Sequence, residues 1–274
     1  MIVDAHTHIW KSDPAWPDQT QTTVAAACEV SLGLLTDYMD EFGVDRAVLV
    51  QPLYPFEENS YVAESAASRP ERFASVCVVD PQRNDAAEEL ERWVREAGCR
   101  GLRLRPVAKD EEASFGHVSS FPIWEKAEAL SIPINILMHQ GHVATLDRVA
   151  AEFPHVPVIV DHLGHPPVQQ GVGNPAIQEM LALARHPQVH MKISGFYYYS
   201  TAGYPYTDCR EIVETLFQSF GPDRLIWGSD FPHVLLKTGY KRAVDCLVKI
   251  LPNISARDHG MIMGENALRL YWPE

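Results

Sequence analysis

One feature constrains this chain more than any other. A short β-rich run is followed by an amphipathic stretch rich in Ala, Glu and Leu, and the pair recurs along the whole length. The β-rich runs are 2–6 (IVDAH), 46–51 (RAVLVQ), 73–79 (FASVCVV), 100–105 (RGLRLR), 132–139 (IPINILMH), 156–162 (VPVIVDH), 189–194 (VHMKIS) and 225–230 (LIWGSD). Between them, 32–43, 84–98, 121–130, 143–153, 175–186 and 207–221 read as helices, with Gly43 and Gly98 placed to close two of them in left-handed backbone. Strands that alternate with helices run parallel and are joined by crossovers. Eight such units in about 230 residues are what an α/β fold of the (β/α)8 TIM-barrel type requires. An open doubly wound sheet is the rival, but neither GxGxxG nor a GxxxxGKS/T loop occurs. No linker divides the 274 residues, so a single domain over 1–274 is expected.

Composition narrows the function. The formal net charge of −13 disfavours a phosphate-backbone partner, which needs clustered Lys and Arg, so no nucleic acid is expected. No stretch approaches the ~20 apolar residues of a membrane helix, so no membrane partner is expected either. The N-terminus lacks a basic segment, and Asp4 and His6 break its apolar run, which reads against a secretory leader. The five cysteines (Cys28, Cys77, Cys99, Cys209, Cys246) are scattered and odd in number, the pattern of reduced thiols in a cytoplasm.

In a TIM barrel the site lies at the C-terminal ends of the strands, and the long stretches 11–30, 52–60, 106–119, 163–174 and 195–207 all follow a strand. The side chains at those ends are the candidates. Strand 1 ends in His6 and His8, which by parity share a face with Ile2 and Asp4. Strand 2 ends in Gln51 and strand 4 in Arg103 and Arg105. Strand 5 ends in His139, in phase with Asn135 and Leu137 and followed by His142. Strand 6 ends in His162, strand 7 in Lys192 and Ser194, and strand 8 in Asp230, in phase with Ile226 and Gly228 and followed by His233. A strand-end histidine taken singly is as well explained by a structural hydrogen bond. Four on three strands, with an aspartate on a fourth, are hard to explain as packing. Three histidines and a carboxylate (His6, His8, His139 and Asp230) suffice to hold one divalent metal ion, with Zn²⁺ the expected one. Such an ion lowers the pKa of bound water to about 7 and polarises a carbonyl.

The motifs "DAHTHIW" (4–10), "CRGLRLRP" (99–106), "VDHLGHP" (160–166), "MKISGFY" (191–197) and "WGSDFPH" (227–233) resemble, in this order, the amidohydrolase superfamily, and more narrowly its amidohydrolase-related branch of lactone hydrolases. The likeness runs from the first strand to "GENALRLYW" (264–272). It implies a small-molecule substrate, a lactone or similar cyclic ester, with Asp230 as the base that takes a proton from the attacking water and His162 holding the substrate carbonyl. It also implies that Arg103 and Arg105 clamp a substrate carboxylate, for which a planar guanidinium is suited. An ion pair with a barrel carboxylate explains the arginines equally well. His233 and Tyr197 are expected at the substrate, although the tyrosines of 196–206 suit a lid or a homo-oligomer contact as readily. Several lactonases of this branch lack the strand-5 histidine and work without metal. His139 resembles the metal-binding members and related decarboxylases, so a metal-dependent decarboxylase is the alternative. A non-catalytic ligand-binding barrel is the third reading.

Overall fold

In the computed structural model, which describes residues 1–11, 28–52, 58–106 and 115–273, eight strands form one parallel sheet in sequential order. They are β1 (Val3–Thr7), β2 (Arg46–Val50), β3 (Phe73–Val78), β4 (Gly101–Leu104), β5 (Ile134–Ile136), β6 (Val158–Val160), β7 (Val189–Ile193) and β8 (Leu225–Trp227). Just past β8, Phe231 makes a parallel bridge to Thr7, and the barrel closes there: His8 N–H donates to the Phe231 carbonyl at 2.7 Å and Asp230 N–H to that of His6 at 2.9 Å. Crossover helices surround it: α1 (Leu32–Phe42), α2 (Ser60–Ser68), α3 (Ala86–Arg95), α4 (Phe121–Ala129), α5 (Val143–Glu152), α6 (Pro175–Ala182) and α7 (Arg210–Phe220). Helix α1 shows why its residues are helical. Ser31 Oγ accepts from Leu34 N–H at the start, Gly43 closes the end with φ 70°, and Leu35 and Met39, one turn apart, bury one face. The expected barrel is therefore observed. Helix α2 was not expected, because its buried Ala63, Ser65 and Ala66 carry little hydrophobic signal. The expected loop portions 12–27, 53–57 and 107–114 lie outside the described residues. Among the described residues no helix is long and apolar enough to cross a membrane.

The lumen is stratified. At the bottom Val3, Ala5, Val48, Ala74, Ile159 and Ile226 pack with Ala267 and Tyr271 of the last helix, Asn266–Tyr271. Above this apolar plug Arg103, Asp161 and Lys192 are buried. The histidines lie at the mouth beyond them.

Two parity expectations need correction. On β1, Asp4 pairs with Ala47 but Thr7 with Leu49, so three steps on one strand match two on the other. This bulge reverses the alternation. Val3 and Ala5 face the lumen before it. Asp4 faces outward, accepting from Tyr240 Oη at 2.9 Å and Ser229 N–H at 2.8 Å, and does not share a face with His6 and His8. On β6 the strand ends at Val160. Asp161, in phase with Ile159, enters the lumen, and His162 follows in left-handed backbone at φ 52°.

Candidate active site

Closure of the barrel sets the first contacts. The main-chain bonds between β1 and the residues after β8 place two imidazoles beside one carboxylate. His6 Nε2 lies 3.1 Å from His8 Nε2, and these atoms lie 3.6 and 3.5 Å from Asp230 Oδ1. All three residues are buried. Such close approach requires glycine at 228, where a Cβ would stand 2.7 Å from His6 Cβ. His8 Nδ1 lies 2.8 Å from the Val50 carbonyl, which can only accept. Nδ1 of His8 therefore carries its proton, and Nε2 presents a lone pair to the site.

Three more side chains reach Asp230. Tyr197 Oη donates to Oδ2. Ligand atoms of His6, His162 and Asp230 lie within 4.8 Å of one another, as do those of His8, Asp230 and His233. His162 is fixed from behind by a 2.8 Å contact between Nδ1 and Ser194 Oγ. Gly195, at φ 68°, leaves room for that ring, since a Cβ there would meet Nδ1 at 2.8 Å. Trp10 stacks on His233 with centroids 6.1 Å apart. Burial pushes His162 down to about 3, so its ring is neutral at physiological pH. Burial also acts to raise Asp230, but the surrounding His162, His8, His6 and His233 outweigh it and hold this carboxyl well below the usual range. Burial and the facing Asp230 raise Tyr197, which stays a protonated donor.

Beneath the mouth lies the charged layer. Arg103 Nε contacts Asp161 Oδ2 at 3.2 Å, and Lys192 Nζ lies 2.8 Å from Asp161 Oδ1 and 3.0 Å from His6 Nδ1. The ion pair that was one of two readings for the arginines is thus present for Arg103. Arg105, two residues further along the same face, is half-buried at the mouth. Sequence reasoning passed over Asp161 although it precedes His162 in "VDHLGHP". Its phase with Ile159 was the available signal. Lys192, named at the end of strand 7 without an assigned role, touches His6 directly.

His139 lies elsewhere. It is exposed, three residues beyond β5, and its ring neighbours are His165 at 4.8 Å and His142 at 6.4 Å. It belongs to neither group of converging ligand atoms among the described residues. The expected quartet of His6, His8, His139 and Asp230 is therefore not brought together as such. What the structure gathers around Asp230 is His6, His8, His162 and His233.

The donor set can be tested against a metal. Imidazole nitrogens bind Zn²⁺ at about 2.0–2.1 Å, which places neighbouring ligand atoms on a tetrahedral ion about 3.3 Å apart. The separations of 3.1, 3.5 and 3.6 Å among His6, His8 and Asp230 fit that spacing. Each of the two imidazoles also has an acceptor near its other nitrogen, the Val50 carbonyl for His8 and Asp161 Oδ1 at 3.3 Å for His6, as metal-binding histidines usually do. The residues present fit one divalent ion.

Comparison with known proteins agrees with this architecture. The amidohydrolase family model matches residues 3–272. L-fucono-1,5-lactonase of Burkholderia ambifaria is 29% identical over 238 residues, covering 84% of this chain and 80% of that protein. 2-Pyrone-4,6-dicarboxylate hydrolase of Comamonas testosteroni is 28% identical over 291 residues, covering 99% of this chain and 90% of that one. Among solved structures, an amidohydrolase from Burkholderia multivorans with bound zinc superposes with a TM-score of 0.86 at 22% identity, over 99% of each chain. From barrel to strand-end motifs, the chain belongs to the amidohydrolase family of enzymes.

Proposed function

We propose that this protein opens a lactone or similar cyclic ester by water attack, with Asp230 as the general base. The observation that carries the reading is the convergence of His6, His8, His162 and Tyr197 on one buried carboxylate held in its ionised form. Asp230 takes a proton from water as the water oxygen bonds to the lactone carbonyl carbon. The ring C–O bond then breaks, and the proton held on Asp230 passes to the departing alkoxide, giving a hydroxy acid. His162, neutral and oriented by Ser194, faces the carbonyl oxygen. Tyr197 holds Oδ2 of Asp230 and leaves Oδ1 toward the imidazoles. A divalent ion held by His6, His8 and Asp230 would supply carbonyl polarisation and acidify water. Arg105, half-buried just beyond β4, is the guanidinium offered to a substrate carboxylate, and His233, grouped with His8 and Asp230, is a further substrate contact.

The relatives named for lactone hydrolysis support this reading. The decarboxylase alternative rested on a strand-5 histidine among the metal ligands, and His139 stands outside both ligand groups. The test is a panel of sugar 1,5-lactones, pyrone carboxylates and muconolactones, assayed for acid and CO₂ together. Acid released without CO₂ is expected. CO₂ release, or no turnover of any lactone by metal-supplemented protein, would contradict the proposal.

A further inference from the structure

Resting on the reading of His6, His8 and Asp230 as the site, we infer that Lys192 is a positioning residue that selects the tautomer of His6 and weakens the site's hold on a metal ion. His8 Nδ1 donates to the Val50 carbonyl, so His8 Nε2 is a lone pair. His6 Nε2 stands 3.1 Å from it. Two lone pairs at that distance repel, so the proton between them belongs to His6 Nε2. His6 Nδ1 is then an acceptor, and the donor facing it is the buried Lys192 ammonium at 3.0 Å. Asp161 Oδ1, 3.3 Å from the same Nδ1, is a second acceptor, tolerated because Lys192 also reaches it at 2.8 Å.

In this arrangement His6 offers an N–H to the site, suited to donating to a carbonyl oxygen. Metal ligation demands the opposite tautomer. The His6 proton must move to Nδ1 and be donated to Asp161, and the Lys192 contact to Nδ1 must be given up. Lys192 and Asp161 therefore pull His6 in opposite directions, the lysine toward hydrogen-bond donation and the aspartate toward metal binding. No sequence motif announces this competition. It arises because β7 and β6 deliver an ammonium and a carboxylate to one nitrogen of β1.

The test uses the metal-free full-length protein, titrated with Zn²⁺ against a chromophoric chelator. Lys192→Met removes the donor, keeps an unbranched side chain one atom shorter, and leaves Asp161 paired with Arg103. Zn²⁺ should bind at least ~10-fold tighter, within the range by which such outer partners act on affinity. Lys192→Arg keeps a cationic donor and should bind as the native protein does. Nitrogen-15 NMR of histidine-labelled native protein without metal should show His6 protonated at Nε2 and bare at Nδ1, with the reverse in Lys192→Met. A folded Lys192→Met protein with equal or weaker Zn²⁺ affinity would overturn the inference. So would a native His6 protonated at Nδ1, a result that decides the matter even where the variant does not fold. Neither readout uses lactone turnover, so this inference can fail while the proposed reaction stands, and the reverse.

Discussion

Two histidine clusters sit at the mouth of the same barrel, and they differ in everything but residue type. At the end of β1, His6 and His8 are buried, each has a partner on the nitrogen facing away from the site, and both face a carboxylate. After β5 and β6, His139 is exposed. The Nδ1 of His142 accepts from the His139 backbone N–H at 3.2 Å, and the Nδ1 of His165 meets the Met138 carbonyl at 3.0 Å. The second cluster serves its own loops, and no carboxylate joins it in a group of converging ligand atoms among the described residues. Histidine count does not make a reaction centre. A nearby ionised group and a fixed tautomer do.

The contrast can be broken by substitution. The largest effect is expected at the first cluster. His8→Asn removes the Nε2 lone pair, and kcat/KM should fall by about 10²-fold or more, with loss of bound metal, since an electrophile of this kind supplies several kcal/mol. Steady-state kinetics and elemental analysis on one sample check it. A middle effect, of another kind, is expected one layer down. Arg103→Met removes one partner from a buried ion pair, which costs about 3 kcal/mol or more of unfolding free energy. Denaturant titration should show that loss while KM changes little. A sharp rise in KM at native stability would instead make Arg103 the substrate clamp. The smallest effect is expected at the second cluster. His139→Asn alters an exposed side chain, so stability should stay within about 0.5 kcal/mol, with kcat and metal content nearly unchanged. Loss of metal in His139→Asn would erase the distinction between the clusters.

The barrel was legible because periodicity reports packing on both faces of a parallel sheet, and the strand bodies here are buried apart from Arg46 and His190. His6, His8, His162 and Asp230 were legible as strand-end polar groups. What failed was parity where strands end. Asp4, ahead of the β1 bulge, faces outward toward Tyr240, while the bulge turns His6, two residues on, inward. Left-handed backbone at His162 and Asp230, φ 52° and 62°, aims side chains that alternation cannot place. Lys192 shows the other gap. Its phase was readable, but its partners on β1 and β6 are distant in sequence and meet only on closure.

Asp230→Asn tests the centre of this account most directly. The substitution keeps the shape and removes the proton acceptor. On any lactone the native protein hydrolyses, kcat should fall by ~10²–10⁴-fold, the usual worth of a general base, with the melting temperature retained and metal measured on the same sample. An Asn variant that is folded, metal-matched and close to native kcat would contradict the assignment and return the base to His162 or His233.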